Sequence, residues 1–321
     1  MHRPRILVAG ANYGRAYLWA LAQATDRFHL AGLLSSASAR SVRVAEEFNI
    51  PLFHSVEDAP QDIELACAAL GSRGFPIVLD LIRRRIPVLC EHPLTPNMLD
   101  SALDQAKAYS TPLHVNAHFP MLPSARDFAH GLSRPGERPA FLDVLATERS
   151  LYAALAILFM ALGSAEPFEV RSARPGKPFV NVEAMFGGIP LLLRLQCEPL
   201  EEPAQNGHGV RHALCASKAI PDGDAAYLVD YRITAGLRAG LLTLLSMGGP
   251  VIWTANYALP ATGVAVQSSQ VSPDQLRMQR RDANLEAIEN ILNHRTSADQ
   301  HPDHLRALST AWQTVADAIQ P

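Results

Sequence analysis

The feature of the sequence that most constrains the fold is a regular alternation of short apolar runs and helical segments in the first 119 residues. The apolar runs are rich in Val, Ile and Leu and predict strands buried on both faces of a sheet. Parallel strands need helical crossovers, so this alternation predicts a doubly wound parallel sheet. The predicted strands lie at 5–9, 30–34, 63–70, 87–92 and 113–119, with helices at 15–21, 75–86 and 97–109 and a helix start at Ser55–Asp58.

A glycine-containing turn joins the first predicted strand to the first helix. Gly10, Ala11, Asn12, Tyr13 and Gly14 form this turn. Small residues allow a backbone to approach a pyrophosphate, which the amides at the helix start can bind. The match to GxGxxG is imperfect, because Ala9 and Ala11 stand where the first two glycines belong. The turn therefore predicts dinucleotide binding, with a plain strand–turn–helix as the alternative.

The segment after the second strand predicts which dinucleotide is bound. An NAD site places an acidic residue here to bind the ribose 2′-hydroxyl, but the first acid is Glu46. Ser36, Ser38 and Arg40 are present instead, and an arginine can bind a 2′-phosphate through charge-assisted hydrogen bonds. We predict NADP(H). The alternative is that Ser38 caps the next helix and Arg40 is solvated.

Two further strand ends supply candidate site residues. Leu70 and Ser72 follow the third predicted strand and are assigned to cofactor binding. Glu91 and His92 end the strand after that, at the edge where open α/β sheets place their chemistry. Both are assigned to catalysis and to cofactor binding, and His118 is a further catalytic candidate.

The second half of the sequence predicts a different domain. Apolar runs at 140–147, 167–173, 179–186, 190–197, 210–217, 226–235, 239–246 and 250–257 alternate with turn signals, which favours an antiparallel sheet. Helices are predicted at 124–132, 151–162, 273–294 and 302–319. The predicted fold class is therefore α/β: a Rossmann domain at 1–120 and an α+β domain at 121–321. The C-terminal helices are candidates to pack back on the first domain.

Composition excludes several classes of function. The net charge of −3 and pI near 6.5 disfavour a nucleic-acid or anionic-membrane partner. The four cysteines show no CxxC spacing, which fits reduced thiols, and the apolar run Leu151–Leu162 is too short for a bilayer. Strand residues begin almost at Met1, so we expect no signal peptide and a cytoplasmic protein. The pairs His114/His118 and His208/His212 lack a zinc-site context, and we expect no metal.

The motifs together resemble those of the Gfo/Idh/MocA oxidoreductase family. That family carries E-K-P after the fifth Rossmann strand, and this chain has Glu91-His92-Pro93. The E-H-P form is similar to that of one branch, the thiazolinyl imine reductases of siderophore biosynthesis. Shared segments include 10–18, 32–34, 38–41, 48–52, 115–120 and 249–253, with most of the similarity in residues 5–130.

The resemblance implies a specific reaction. NADPH would reduce the C=N bond of a thiazoline to a thiazolidine, on an intermediate tethered to a nonribosomal peptide synthetase carrier protein, in the biosynthesis of a pyochelin- or yersiniabactin-like siderophore. The nitrogen then needs a proton, and histidine suits that role because its ordinary pKa is about 6.5. By the same resemblance His92 would be the acid, Glu91 would orient it or shape the pocket, and residues 121–321 would bind the substrate and form a homodimer.

Two positions depart from the wider family. A tyrosine considered a proton donor there is Phe119 here, so His92 acts alone or with water, or His118 replaces the hydroxyl. Sugar dehydrogenases place an Asp and a His on the helix that corresponds to 151–162, and this chain has neither, which argues against a polyol substrate. The alternatives to a thiazoline reductase are a dehydrogenase or reductase of another small carbonyl or imine, and a non-catalytic NADP-binding sensor.

Overall fold

The chain consists of two compact units. The computed structural model describes residues 2–133, 138–163, 165–197, 230–256 and 270–319. One unit comprises Met1–His118 with Arg280–Arg306, and the other comprises Phe119–Gln279 with Ala307–Pro321. The division lies next to the predicted boundary at residue 120, and part of the C-terminal segment belongs to the first unit.

The first unit contains a six-stranded parallel sheet in the order β3-β2-β1-β4-β5-β6. Its strands are β1 (Arg5–Ala9), β2 (His29–Leu34), β3 (Leu52–Phe53), β4 (Leu65–Ala68), β5 (Val88–Glu91) and β6 (Leu113–Asn116). Its helices are α1 (Gly14–Ala22), α2 (Ala39–Phe48), α3 (Phe75–Arg83) and α4 (Pro96–Tyr109). The strand order reverses direction between β1 and β4, and such a switch point is where open α/β sheets bind ligands.

Both faces of this sheet are buried, which explains the uninterrupted apolar runs in the sequence. Leu7, Ala66 and Val88 contribute to one core, whereas the adjacent residues Val8 and Cys67 contribute to the other. Successive strand residues point to opposite faces, so each strand must be apolar at every position when helices cover both sides.

Three sequence predictions in the first unit are wrong. Ser55 and Asp58 form a reciprocal turn, with Ser55 N 3.0 Å from Asp58 Oδ2, but no helix follows, because Pro60 lacks an amide proton and restricts Ala59. The helix predicted at 75–86 ends at Arg83, and Arg85 has a φ of 59°. The strand predicted at 113–119 ends at Asn116.

The end of β6 matters for the site. Residues 119–121 form a 3₁₀ turn that contains Pro120, and a proline cannot donate to a sheet ladder. Ala117 and His118 therefore lie beyond the strand, and the alternation of side chains along a strand does not apply to them.

The second unit contains a seven-stranded sheet in the order β13-β12-β11-β7-β10-β9-β8. Its strands are β7 (Phe141–Thr147), β8 (Phe168–Arg174), β9 (Phe179–Phe186), β10 (Ile189–Gln196), β11 (Tyr231–Leu237), β12 (Gly240–Leu244) and β13 (Val251–Ala255). All neighbours are antiparallel except β7 and β10. The predicted fold class is confirmed. The strand predicted at 210–217, the beginning of the one at 226–235, and His208 and His212 lie outside the described residues.

The described residues contain four further α-helices: α5 (Pro123–Leu132), α6 (Leu151–Leu162), α7 (Pro273–Leu292) and α8 (Pro302–Ile319). Helix α6 is almost wholly buried, as its apolar sequence predicts. In the part of the chain that the structure describes, no helix has the length and apolar character required to cross a bilayer. Residues Leu285, Ile288 and Ile291 of α7 pack into the first unit's core.

Candidate active site

The glycine turn after β1 closely approaches the strand beside it. Gly10 has a φ of 104°, and a Cβ there would lie 2.3 Å from the carbonyl oxygen of Ala69. At Gly14 a Cβ would lie 3.1 Å from Cγ1 of Val8. Only glycine fits the first position without a backbone shift. The turn is thus shaped by the strand–turn–helix packing, and it brings the start of α1 to the carboxyl edge of the sheet.

The other residues of the turn divide between core and solvent. Ala11 is buried, Asn12 is exposed and Tyr13 is half-buried. The carbonyl of Asn12 accepts a hydrogen bond from Arg15 N at 3.2 Å, which begins α1. Tyr13, the N-cap residue, directs its hydroxyl to within 3.4 Å of His118 Nε2.

The serine- and arginine-containing segment follows β2 directly. Ser38 is the N-cap of α2, where its Oγ accepts a hydrogen bond from Ser41 N at 3.2 Å, as the alternative interpretation of Ser38 proposed. Arg40 lies in the first turn of α2, and its side chain and that of Ser36 are exposed. The Arg40 guanidinium is therefore accessible at the end of β2, while the Ser38 side chain has a structural role.

Leu70 and Ser72 follow β4 at the same edge. Leu70 is half-buried and lies close to Gly74, where a Cβ would come 2.8 Å from the Leu70 Cβ. Ser72 is exposed and begins a 3₁₀ turn. These positions line the edge next to the glycine turn.

Glu91 and His92 form a buried ion pair at the end of β5. Oε1 of Glu91 lies 3.0 Å from Nδ1 of His92, and both side chains are less than a tenth exposed. The backbone oxygen of Asn116, at the end of β6, accepts a hydrogen bond from the same Nδ1 at 2.6 Å. With Nδ1 engaged on this side, the proton that the imidazolium can transfer is the one on Nε2.

Three buried polar residues that the sequence analysis missed surround Glu91. Tyr17 of α1 donates from its hydroxyl to Glu91 Oε2 at 2.5 Å, and Asn116 Nδ2 lies 3.4 Å from the same oxygen. Asn116 Nδ2 also donates to the Tyr17 oxygen and, at 2.9 Å, to Oδ1 of Asn284. Asn284 comes from α7, so residues far apart in the sequence complete the site.

His118 lies beside this pair and is completely buried. Its ring centroid is 6.4 Å from that of His92 and 6.3 Å from that of Tyr13. Arg280 of α7 donates to the Tyr13 hydroxyl at 3.3 Å. His118 is therefore a buried residue beyond the end of β6, and the structure brings all three catalytic candidates together.

The environment shifts the pKa values of the two histidines in opposite directions. Burial favours neutral His92, but the hydrogen bond and charge of Glu91, with the Asn116 carbonyl, outweigh it and raise the pKa of His92. Burial, followed by the positive charges of Arg280 and His92, holds the pKa of His118 well below its usual range. The pKa values of the two neighbouring imidazoles are thus shifted apart, and such divergent pairs are typical of sites that transfer protons.

The Cys90 thiol beside Glu91 is buried. Burial, with the nearby Glu91 charge, raises the pKa of Cys90 to about 12, so its thiol is not a nucleophile at neutral pH. Among the described residues, no three His, Cys, Asp or Glu side chains are grouped to hold a metal ion. The expectation of no metal stays a prediction.

The residues at this edge fit a dinucleotide. The Gly10 backbone lies where a side chain would collide with Ala69, the start of α1 presents backbone amides, and the Arg40 guanidinium is exposed at the end of β2. These are the features that accommodate a pyrophosphate and a 2′-phosphate. Gly10 to Gly14 would hold the pyrophosphate, with Ser36 and Arg40 at the adenosine ribose.

Comparison with known proteins agrees with this interpretation of the first unit. Residues 4–117 match the family model GFO_IDH_MocA, described as "Oxidoreductase family, NAD-binding Rossmann fold". Residues 4–117 are thus similar to the NAD-binding Rossmann domain of that oxidoreductase family. The comparison with curated protein sequences gives no match.

Solved structures share the fold of the whole chain. The structure of GenD2 from gentamicin A biosynthesis, in complex with NAD, has a TM-score of 0.72 at 14% identity and covers 99% of this chain and 95% of its own. UDP-N-acetylglucosamine 3-dehydrogenase GnnA from Acidithiobacillus ferrooxidans has a TM-score of 0.71 at 14% identity, and the match covers 99% of this chain and 98% of GnnA. Biliverdin reductase from Synechocystis, in complex with biliverdin and NADP+, has a TM-score of 0.65 at 14% identity, covering 97% and 98%.

Proposed function

We propose that this chain is an NADPH-dependent reductase of a carbon–nitrogen double bond, with His92 as the proton donor. The observation that carries the proposal is the buried Glu91–His92 pair at the carboxyl end of β5, with the Asn116 carbonyl 2.6 Å from Nδ1 of His92. A reductase needs a group that is protonated near neutral pH before the reaction begins, and this pair supports one.

The residues of the chain account for the proton in such a reduction. When bound, NADPH supplies a hydride, which adds to the carbon of the C=N bond. The electron pair of that bond moves to nitrogen, which takes the proton from Nε2 of His92. The imidazole is left neutral, with Nδ1 still hydrogen-bonded to the Asn116 carbonyl, and is reprotonated from solvent.

The absence of an acid at the end of β2 supports NADPH over NADH. Ser35 follows β2 and hydrogen-bonds Ser41 at 2.9 Å, so this position contributes no carboxylate to a ribose 2′-hydroxyl. The exposed guanidinium of Arg40 lies in the next helical turn and can pair with a 2′-phosphate. NADP(H) is therefore the proposed cofactor.

The substrate we propose is a thiazoline. Its support is the E-H-P motif, the raised pKa of His92, and the apolar sequence of α6, which supplies neither the Asp nor the His that a sugar hydroxyl would need. Presentation on a carrier-protein arm, siderophore biosynthesis and a homodimer are proposals that rest on the resemblance, and a cytoplasmic location is a proposal that rests on the sequence.

The second candidate is a reductase of another small imine or carbonyl. It is favoured by the position after His118, where Phe119 packs edge-on against Tyr231 at 6.4 Å and has no proton to give. Because the side chain of Phe119 donates no proton, the site would suit a substrate other than a thiazoline.

One assay separates these functions. NADPH oxidation is followed with a 2-thiazoline thioester, an acyclic imine, and, in the reverse direction with NADP+, a cyclic polyol. Turnover of the thiazoline alone supports the first proposal, and turnover of the other imine supports the second. Tight NADPH binding without turnover of any of them would contradict both and identify a non-catalytic NADP-binding protein.

A further inference from the structure

We propose that Tyr17, Asn116 and Asn284 are positioning residues that keep the proton of the Glu91–His92 pair on the imidazole. The consequence for turnover rests on the proposed function, whereas the protonation state itself does not. The four side chains involved besides His92 are all buried, and Tyr17 is completely so.

The contacts of Glu91 Oε2 come from hydrogen-bond donors. The Tyr17 hydroxyl lies 2.5 Å from this oxygen and Asn116 Nδ2 lies 3.4 Å from it. A carboxylate that accepts hydrogen bonds is stabilised in its charged form. In an apolar interior these donors replace water, and without them the buried charge would be costly.

The direction of each hydrogen bond in the network follows from the chemistry of the groups. An amide Nδ2 can only donate, so the Tyr17 oxygen accepts from Asn116 and its single proton goes to Glu91. The reverse orientation of the Asn116 amide would place Oδ1 3.4 Å from the carboxylate. A phenol that accepts a hydrogen bond becomes a stronger donor, so Asn116 strengthens the contact of Tyr17 with Glu91.

Asn284 fixes the amide that supports this arrangement. Its Oδ1 accepts from Asn116 Nδ2 at 2.9 Å, and both asparagines are 2% exposed. Without Asn284, Asn116 would have one fewer acceptor to define its orientation. The role of Asn284 is therefore indirect, and its loss is expected to have a smaller effect than that of Tyr17.

The backbone of Asn116 restrains the imidazole from the other side. Its carbonyl oxygen lies 2.6 Å from Nδ1 of His92 and can only accept. If the Nδ1 proton moved to Glu91 Oε1, 3.0 Å away, the Nδ1 lone pair would face this carbonyl. The carbonyl thus keeps a proton on Nδ1, and the donors at Oε2 keep Glu91 from taking it.

Other titratable groups surround the Glu91–His92 pair, and none of them is substituted in the proposed variants. They are Tyr13 on the glycine turn, Cys67 on β4, Cys90 on β5, His118 after β6 and Arg280 on α7. Any change in the titration of His92 after a Tyr17 substitution is therefore assigned to the Glu91 carboxylate.

The test is ¹⁵N NMR of histidine-labelled full-length protein, with the His92 signals assigned as those missing in His92→Gln. In the wild type, both ring nitrogens of His92 are expected to be protonated at pH 7. In Tyr17→Phe, the ratio of the form with the proton on the imidazole to the form with it on Glu91 should fall about tenfold, as the loss of one hydrogen bond to a charged group predicts.

Two further variants make the result decisive. Tyr152→Phe removes a buried phenol hydroxyl in the second unit and should leave the His92 signals unchanged. Asn284→Ala should shift them in the same direction as Tyr17→Phe but less, and it replaces that variant if Tyr17→Phe does not fold. Wild-type His92 signals in a folded Tyr17→Phe or Asn284→Ala protein would overturn the proposal.

The measurement needs neither cofactor nor substrate, so its outcome is independent of the proposed function. A protonated His92 that depends on Tyr17, in a protein that reduces no imine, would support the positioning network and contradict the reductase. Imine reduction by a protein whose His92 titration does not respond to Tyr17→Phe would support the reductase and contradict the positioning network.

Discussion

Oε1 of Glu91 lies 3.0 Å from Nδ1 of His92, although the two residues are adjacent at the end of a strand. Neighbouring side chains on a regular strand point to opposite faces. The pair forms because β5 ends at Glu91, so His92 leaves the strand and turns toward Asn116, while Glu91 remains in the sheet. The candidate active site is thus built where the strand stops.

Loss of the imidazole should remove catalysis without removing the cofactor. Replacement of the proposed general acid in His92→Gln is expected to lower kcat by roughly 10²–10⁴, while NADPH binding, measured by fluorescence titration, changes little. A near-normal kcat would transfer the role to His118 or to solvent.

Arg40 should determine the choice between the two cofactors. Arg40→Ala removes a charged contact to the 2′-phosphate and should weaken NADPH binding by about 1–3 kcal/mol, with NADH almost unchanged. Arg43→Ala is the matched control, since Arg43 is on the same helix and donates to the Ala39 carbonyl at 3.2 Å. Equal losses for both cofactors in Arg40→Ala would contradict the assignment.

Gly10 in the glycine turn should not tolerate a methyl group, whereas Gly71 after β4 should. Gly10→Ala places a Cβ 2.3 Å from Ala69 O at a φ of 104°. The backbone strain alone should lower the free energy of unfolding by about 1–3 kcal/mol, and the collision with Ala69 should lower it further. Gly71→Ala meets no described atom within 4 Å and should leave stability nearly unchanged. Denaturant unfolding measures both, and similar losses in the two variants would show that the close approach at Gly10 is wrong.

His118 should make the protein sensitive to acid. Its pKa is depressed in the folded state by burial, Arg280 and His92, so the unfolded chain binds a proton that the folded chain does not. Its stabilising contribution is present above about pH 6.5 and is lost as the pH falls, by about 1.4 kcal/mol per pH unit, until the folded pKa is reached. His92 has the opposite sign, because its raised pKa stabilises the fold below pH 6.5 and that contribution is lost as the pH rises.

The measurement is the free energy of unfolding between pH 4 and 8. His118→Asn should reduce the acid-induced loss relative to the wild type, whatever its own stability at pH 8. Parallel pH curves for the two proteins would show that His118 is not buried in a neutral form.

Most of the fold could be predicted because its elements have strong local signals. Helix α6 and helix α8 begin and end at the predicted residues, 151–162 and 302–319, and β9 lies at 179–186 as expected. Two of the three errors in the first unit lie next to a proline, and the third is the end of α3, where Arg85 has a positive φ. Ser55–Asp58 has the side chains of a helix start but is followed by Pro60, and β6 stops before Pro120.

The site was predictable only where its residues are neighbours in the sequence. Glu91 and His92 follow one apolar run, and their pairing is local. Tyr17 lies on the buried face of α1 among Leu18 and Leu21, so its hydroxyl could not be distinguished from core packing. Asn284 could have been noticed, since it is a polar residue on the stripe that includes Ile288 and Ile291. Its partner Asn116 is 168 residues away, and no local pattern joins them.

The most direct test of the role of His92 is the position of the nicotinamide in a crystal structure of the protein with NADPH. We expect the pyrophosphate at Gly10 to Gly14, the 2′-phosphate at Arg40, and the nicotinamide ring beside the His92 imidazole, with space for a C=N bond between them. A nicotinamide ring remote from His92, in a complex with the pyrophosphate bound at the glycine turn, would contradict it.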